Sequence, residues 1–304
     1  MQLKVLLVAG THGNEINGIW LFEQWEKLPL LINTHGIKTY KVIGNPEAKK
    51  AGKRYIFNDL NRSFLEESFS EINSQNLEGM RAIQLVQLYG IKGENPCQIA
   101  LDFHTTTASM GSCLVVYGRR DSDLALAGLI QNKLGLPIYL HESDKKQTGF
   151  LVESWPCGLV IEIGPVAQNL LNSRIIYQTK LILENLLEQI KDISNFDHLF
   201  PEKLIIHRHI KSIDFPRDDE GNINGFVHPL RQGKDWHPLK KDDDLFCKFN
   251  GESIRFDEDE KYIPVFINES SYMEKNIAMS LTKRELWLFE ENWKRCLVEL
   301  VSQK

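Results

Sequence analysis

Three residues carry the clearest chemical signal in this 304-residue sequence: His12, Glu15 and His104. His12 and Glu15 stand three apart after a short apolar run, a spacing that lets both side chains point to one side of a turn. His104 directly follows a second apolar run, residues 99–103. Two imidazoles and one carboxylate can bind Zn²⁺ and leave a fourth position for water. These residues are therefore candidate zinc ligands, although the same donors would also accept other divalent ions.

The elements that would position these ligands are strands with buried faces. Residues 3–8 form a mainly apolar run, residues 9–14 form a glycine-containing turn, and apolar residues at helical spacing follow. Open sheets of this kind bind ligands beyond the carboxyl ends of their strands. Asp102 is two residues before His104 and would point to the same side of a strand. It could orient a metal ligand, or it could be a buried aspartate paired with a backbone donor.

The rest of the chain alternates strands and helices in its first two thirds. Such alternation predicts an α/β layered sandwich with a mostly parallel or mixed sheet. After residue 195, period-two alternation and short segments favour a smaller, mainly antiparallel domain. We therefore predict an α/β domain over 1–196 that carries the candidate zinc ligands and a smaller β-rich domain over 197–304. Strands are predicted at 39–43, 99–103, 113–117 and 159–163, helices at 79–90, 124–134 and 175–193, and an unseparated strand and helix within 272–302.

Bulk composition excludes several classes of protein. The net charge is −5 and the pI is near 6.0, so the chain has no basic surface for nucleic acid. Five cysteines with wide spacings and no C-x-x-C favour a reducing compartment. No apolar run reaches the roughly 20 residues of a membrane span. We expect a cytoplasmic enzyme that acts on a small molecule, with no nucleic-acid or membrane partner.

Five segments, in order along the chain, resemble the motifs of the aspartoacylase family. The resemblance extends from residue 9 to about residue 275. It implies that 1–196 is a zinc-hydrolase catalytic domain with a zinc-carboxypeptidase-like mixed sheet and that the β-rich domain over 197–304 caps the active site. It implies one zinc ion per subunit and hydrolysis of N-acetyl-L-aspartate to acetate and L-aspartate. Close relatives instead deacylate N-acetylated aromatic amino acids. The segments are AGTHGNE at 9–15, RYIFNDLNR at 54–62, DFHTTT at 102–107, IEIGP at 161–165 and PVFINESSY at 264–272.

The resemblance also implies roles for residues outside the metal set. Glu162 would be the general base, and its place within an apolar run supports this, because a buried carboxylate needs a reason to be there. Without the resemblance, a carboxylate salt-bridged at a strand end is an equal interpretation. Arg54 would stabilise the oxyanion. Asn61 and Arg62 would hold the carboxylate of the amino acid, for which the planar guanidinium fork is suited.

Four further residues are weaker candidates. Tyr272 would reach in from the second domain and cap the pocket, or it is an ordinary half-buried tyrosine. Asp59 would support Arg54 or Arg62 from behind. Thr105 and Thr106 follow the ligand His104 and would contact substrate or position their loop.

The sequence departs from the family pattern where an aspartate side chain would be recognised. N-acetylaspartate-specific members have another arginine upstream of the Glu162 motif, whereas this chain has none between Arg120 and Arg174. Val152 stands at about that place. Lys145 or Lys146 could substitute, although a lysine lacks the planar fork. N-acetyl aromatic and aliphatic amino acids are therefore alternative substrates.

Two other functions remain open from the sequence. The first is a related zinc enzyme, such as a desuccinylase or a carboxypeptidase, although Tyr272 close to the site would leave little room for a peptide. The second is a non-catalytic binding protein on the same fold, which would be expected to have lost at least one of the three ligands or Glu162. The resemblance further implies a homo-oligomer, because members of the family often form dimers or larger assemblies.

Overall fold

The computed structural model describes residues 2–64, 76–142, 148–193 and 200–302. Six helices are present in these ranges: α1 (Ile16–Lys27), α2 (Pro46–Ala51), α3 (Leu77–Tyr89), α4 (Asp121–Leu134), α5 (Ser173–Asp192) and α6 (Glu291–Ser302). The strands are β1 (Lys4–Ala9), β2 (Lys38–Ile43), β3 (Ile99–Thr105), β4 (Ser112–Tyr117), β5 (Ile138–His141), β6 (Cys157–Ile163), β7 (Lys203–Ile213), β8 (Phe226–Val227), β9 (Asp244–Cys247), β10 (Ser253–Arg255), β11 (Ile263–Val265) and β12 (Met279–Leu288).

Nine strands form one mixed sheet in the order β11-β12-β7-β5-β4-β6-β3-β1-β2. Strands β2, β1, β3 and β6 are mutually parallel, and β4 runs antiparallel to β6. Strand β5 is parallel to both β4 and β7, whereas β12 is antiparallel to both of its neighbours, β7 and β11. A second, three-stranded antiparallel sheet has the order β10-β9-β8. The predicted α/β mixed-sheet sandwich with a smaller β-rich part is confirmed.

The central strands are mainly apolar because both of their faces are buried. In β1, Val5 and Leu7 belong to the core covered by α1, α4, α5 and α6, whereas Leu6 and Val8 belong to a second core on the opposite face, to which α3 contributes. Helix α5 contributes an apolar face to the first core, and the side chain of Asn172 caps its amino end. The two cores hold β1 and β3 rigidly, and the candidate metal ligands lie at the ends of these strands.

The C-terminal part of the chain is built into the same sheet. Strand β7 pairs with β5, and α6 packs against α4 so that Trp293 and Leu297 join the first core. The predicted boundary between residues 196 and 197 lies outside the described residues, and the two-domain division stays a prediction. No helix in the described ranges has the length and apolar character that a bilayer span requires.

The structure differs from the sequence prediction in two local respects. Strand β5 has only four residues, Ile138–His141, and was not predicted because so short a run carries little periodicity. His104 lies within β3 rather than after it, since β3 extends to Thr105 through pairing with β6. The stretch 272–302, which the pattern left undivided, separates into a 3₁₀ turn that ends at Lys275, then β12 and α6.

Candidate active site

The four residues of the predicted metal and base set come together at the carboxyl ends of neighbouring parallel strands. His12 lies in the turn after β1, and Glu15 is the residue before α1. His104 and Glu162 are register partners on β3 and β6. The edge of the sheet therefore brings together residues that are up to 150 positions apart in sequence.

The three candidate metal ligands converge on one point. The Nδ1 atom of His12 lies 2.6 Å from Oε1 of Glu15, and Nδ1 of His104 lies 3.1 Å from Oε2 of the same carboxylate. The two Nδ1 atoms are 3.0 Å apart. All three side chains are buried, and one ligand atom from each lies within 4.8 Å of the others. Two imidazole nitrogens and a carboxylate oxygen at this separation fit a small divalent cation such as zinc.

Each imidazole is oriented by a second carboxylate. Nε2 of His104 lies 2.8 Å from Oδ2 of Asp102, and Nε2 of His12 lies 3.0 Å from Oδ1 of Asp59. The hydroxyl of Thr11 donates to Asp102 over 2.7 Å. Such carboxylate–histidine pairs fix ring orientation and leave the other nitrogen for a metal. Asp102 thus lies where the sequence suggested, whereas no sequence pattern related Asp59 to His12.

Glycines allow the turn that carries His12 to pack tightly. Gly10 has a φ of +71°, in the left-handed region that favours glycine. A Cβ atom on Gly13 would lie 2.1 Å from backbone atoms of Ala48 and Lys49. The amide of Gly13 also donates to the carbonyl of Arg54 over 3.1 Å. The turn that carries His12 is therefore packed against the segment that carries Arg54.

The charges around the site perturb several ionisations. Burial opposes the ionisation of Glu15, but His12 and His104 hold its pKa well below the usual range. Burial raises the pKa of Glu162 to about 8, and the neighbouring carboxylates of Glu15 and Glu269 add to this effect while His104 opposes it. These two glutamates have opposite shifts because only Glu15 is held directly between imidazoles.

One cavity contains almost all the predicted site residues. The exception is Asp59, which lies behind the cavity wall, where its Oδ2 accepts from Arg54 over 3.3 Å. The predicted residues that line the cavity are His12, Glu15, Arg54, Asn61, Arg62, His104, Thr105, Thr106, Glu162 and Tyr272.

The two threonines after His104 serve different partners. The amide of Thr105 donates to Oε2 of Glu15 over 2.9 Å and so helps to fix that ligand. The hydroxyl of Thr106 donates to Glu269 over 2.5 Å. Glu269 precedes the 3₁₀ turn that carries Tyr272, and it therefore links the capping segment to the loop that follows β3. Sequence reasoning assigned no role to Glu269, since nothing local distinguishes it from a surface glutamate.

Part of the cavity lining is aromatic. Val152, which stands about where the family's additional arginine was expected, is buried in the second core. Phe150 lines the cavity instead. Lys145 and Lys146 lie outside the described residues. The aromatic side chains that line the cavity are Tyr117, Tyr139, Phe150, Phe266 and Tyr272.

The fold and the relatives together define a class of enzyme. The architecture is the zinc-carboxypeptidase-like α/β sandwich with a smaller β-rich part, seen in a crystal structure of murine aminoacylase 3 (TM-score 0.85, 29% identity, covering 94% of this chain and 97% of that one). Succinylglutamate desuccinylase from Vibrio parahaemolyticus shares the fold (TM-score 0.61, 17% identity, covering 93% and 82%). The protein is thus a deacylating hydrolase.

The family follows from the sequence match. Residues 1–190 match the succinylglutamate desuccinylase/aspartoacylase catalytic domain, and residues 202–284 match the AstE/AspA barrel-sandwich hybrid domain. The chain is 76% identical over 303 residues to a "Probable aspartoacylase" of Prochlorococcus marinus strain NATL2A, covering 100% of this chain and 99% of the relative. A "Probable aspartoacylase" of Synechococcus sp. strain CC9605 is 50% identical, covering 98% of each chain. The chain belongs to the succinylglutamate desuccinylase/aspartoacylase family.

Proposed function

We propose that this protein is a zinc-dependent hydrolase of N-acyl-L-amino acids whose leading substrate is N-acetyl-L-aspartate, cleaved to acetate and L-aspartate. The observation that carries the proposal is the convergence of His12, Glu15 and His104 in one cavity with Glu162 and Arg62. A hydrolase for this bond needs a metal set, a base and a cation for the substrate carboxylate. Relatives named "Probable aspartoacylase", up to 76% identical, support the choice of substrate.

One zinc ion per subunit would be held by His12, Glu15 and His104, whose donor types fit it. When bound, zinc supplies Lewis-acid activation of water and of the acyl carbonyl. The Nε2 atoms of His12 and His104 already face the carboxylates of Asp59 and Asp102, so both Nδ1 atoms are left for the metal.

The remaining chemistry belongs to side chains of the chain itself. Glu162 accepts a proton from the attacking water at its carboxylate and passes it to the leaving amine. Arg54 stabilises the negative charge that develops on the acyl oxygen. Its guanidinium is held by Glu15 at 3.4 Å and Asp59 at 3.3 Å, and these carboxylates outweigh burial and raise its pKa, so the side chain stays charged.

Asn61, Arg62 and Tyr272 bind the amino acid portion. Arg62 lines the cavity and pairs with the substrate carboxylate through its guanidinium fork. Asn61 accepts from the backbone amide of Leu151 over 2.8 Å through its side-chain oxygen, so its amide NH₂ group is the part that faces substrate. Tyr272 closes the cavity from the C-terminal part of the chain.

The second candidate function is deacylation of N-acetyl aromatic or aliphatic amino acids. It is favoured by the aromatic wall of the cavity and by Phe150, which lies two residues from the place where an arginine was expected. An aromatic wall favours an apolar side chain over a carboxylate, because a carboxylate loses hydration there without gaining a partner. The likeness to murine aminoacylase 3 points in the same direction.

Two further expectations concern the setting of the enzyme. All five cysteines are free, and Cys97, Cys113 and Cys157 are buried, which suits the reducing cytoplasm that we propose as its compartment. We also propose a homo-oligomer, because members of the family often form dimers or larger assemblies. A non-catalytic binding role is disfavoured, because the three donors and Glu162 all line one cavity.

The test is a comparison of kcat/KM for N-acetyl-L-aspartate, N-acetyl-L-tyrosine and N-acetyl-L-methionine on the zinc-loaded protein, with Glu162→Gln as the control. We expect turnover that a chelator abolishes and zinc restores, and a fall of about 10²–10⁴ in kcat for Glu162→Gln. A tenfold preference for aspartate, about 1.4 kcal/mol in the transition state, supports the leading substrate. Preference for tyrosine or methionine supports the second candidate. Absence of turnover on all three, or an unimpaired Glu162→Gln variant, would falsify the mechanism.

A further inference from the structure

Arg62 is one end of a three-layer stack. Its guanidinium carbon lies 4.1 Å from the centroid of the Phe150 ring. The other face of Phe150 packs on Tyr117, with centroids 3.5 Å apart and ring planes inclined by only 17°. Phe150 is 3% exposed, and all three residues line the active-site cavity. A cation at this distance from an aromatic centroid is attracted by the negative face of the ring.

The backbone around the stack is tied together as well. The side-chain oxygen of Asn61 accepts from the amide of Leu151 over 2.8 Å, and the amide of Phe64 donates to the carbonyl of Gly149 over 3.2 Å. The amide of Phe150 donates to the side chain of Glu153 over 3.0 Å. The two segments that carry Arg62 and Phe150 are thus bonded to each other, and these bonds hold the Cα positions of the two residues at a fixed separation.

We propose that Phe150 is a positioning residue for Arg62: it fixes the plane of the guanidinium so that its fork meets the substrate carboxylate. The inference rests on the proposed function, in which Arg62 binds that carboxylate. An arginine side chain loses rotamer entropy when it is held in one conformation, and a fork that is already held loses less of this freedom on binding. A guanidinium also stacks on an aromatic ring in a way that an aliphatic side chain cannot reproduce.

The stack also accounts for the residue type at position 150. Tyr117, at the end of β4, is itself half-buried and supports the far face of the ring. An aliphatic side chain at 150 would fill space but offer no flat face to either neighbour. The assigned role is therefore carried by the ring rather than by apolar bulk, and this distinction can be tested by substitution.

The experiment measures equilibrium binding by calorimetry in a Glu162→Gln background, so that turnover does not interfere. The ligands are N-acetyl-L-aspartate and N-acetyl-L-tyrosine, and the protein is loaded with zinc. Phe150→Leu should raise Kd about five- to thirtyfold, which at 1.4 kcal/mol per factor of ten corresponds to about 1 to 2 kcal/mol. In the parent background the same substitution should raise KM and leave kcat within about twofold, because the metal and base are untouched.

Three further variants separate positioning from general damage. Phe150→Tyr keeps the ring and should restore Kd to within about twofold of the parent value. Phe64→Leu is the matched control: Phe64 is buried in the adjoining segment, but its ring packs on Trp155, so Kd should stay within about twofold. Phe150→Met keeps similar bulk without a ring and replaces Phe150→Leu if the leucine protein does not fold.

The decisive arm repeats Phe150→Leu in an Arg62→Lys protein. If Phe150 acts through the guanidinium, its loss should change Kd less than twofold there, because the fork is already gone. An equal rise in Kd with arginine and with lysine overturns the proposal, since Phe150 would then contact the ligand directly. An unchanged Kd for Phe150→Leu, or no binding of either ligand, overturns it too. Failure of the proposed function would give a different result, because the parent protein would then bind these ligands without cleaving them.

Discussion

At the scale of single residues, the site is defined by how each imidazole is held. His12 and His104 both turn Nδ1 toward Glu15 and Nε2 toward a second carboxylate, Asp59 or Asp102. This arrangement sets the tautomer and ring angle before any metal arrives. Metal affinity should therefore depend on Asp59 and Asp102 as well as on the ligands themselves.

Asp102→Asn should weaken zinc binding about 10- to 100-fold, because the neutral amide supports the imidazole of His104 less well. The measurement is competition for zinc with a chromogenic chelator. Asp123→Asn is the matched control, since Asp123 is also fully buried but accepts from Gly158 and Arg120 rather than from a histidine. Parental zinc affinity in the Asp102 variant would show that Asp102 does not orient His104.

At the scale of elements, the carboxylate of Glu269 links the 3₁₀ turn that carries Tyr272 to the loop that follows β3. Oε2 of Glu269 accepts from the amides of Thr107 and Ala108 at 2.7 and 3.1 Å and from the hydroxyls of Thr106 and Thr107 at 2.5 and 2.9 Å. Glu269 is only 5% exposed, so its carboxylate depends on these donors for its hydrogen bonds. The capping turn with Tyr272 is therefore anchored to the loop that follows the ligand strand.

Glu269→Gln should destabilise the protein by about 1.5 to 3 kcal/mol, because a neutral amide replaces a charged acceptor of several hydrogen bonds. It should also lower kcat/KM, since Tyr272 loses its anchor. Urea unfolding and steady-state kinetics measure the two effects. Glu274→Gln on the same turn is exposed and bonded to Tyr55, and it should change stability by less than about 0.5 kcal/mol. Equal effects of the two substitutions would contradict the anchoring role.

A second prediction at this scale concerns the turn that carries His12. Gly13→Ala places a Cβ 2.1 Å from the backbone of Ala48 and Lys49, where no flexible side chain can give way. We expect a loss of about 1 to 3 kcal/mol in stability together with weaker zinc binding, because the turn must shift. Thermal unfolding and chelator competition measure both effects.

Gly135→Ala is the control for Gly13→Ala. Gly135 ends α4 at a φ of +67° with nothing within 4 Å of the added Cβ. It should cost only the strain of about 1 to 2 kcal/mol for a left-handed residue and leave zinc binding unchanged. Parental zinc affinity in the Gly13 variant would contradict the tight docking of the turn.

At the scale of the whole molecule, the two parts of the chain share one sheet and one core. Leu204 and Ile206 of β7 and Trp293 and Leu297 of α6 belong to the same core cluster as β1 and β3. Strand β5 would become an edge without β7, and edges left unpaired invite aggregation. The N-terminal part of the sheet is therefore completed by strands from the C-terminal part of the chain.

The shared core predicts one cooperative unfolding transition. The calorimetric enthalpy should equal the van't Hoff enthalpy, and a chain truncated after Ile193 should show no cooperative transition. Differential scanning calorimetry of both proteins measures this. Two resolved transitions in the intact chain, or a truncated chain that unfolds cooperatively, would show that the halves are independent.

The sequence alone determined what depends on neighbours along the chain. The strands β1, β3 and β6 were predicted from mainly apolar runs, and His12 with Glu15 from their spacing at the end of the first run. These signals are local, because the periods of helix and strand are set by backbone geometry. The family resemblance added the remaining site residues, and the cavity contains nearly all of them.

Only the tertiary structure decided what depends on packing between distant segments. The contact between Asp59 and His12 spans 47 residues, and that between Glu269 and Thr106 spans 163. Neither contact can be predicted from neighbouring residues, since the sequence around each side chain does not distinguish it from an ordinary polar residue. The contacts form only because the sheet brings the segments together. The same holds for Phe150, whose meeting with Arg62 depends on how two loops lie against the second core. Spacing in sequence specifies which residues share a face of one element, whereas the packing of elements decides which faces meet.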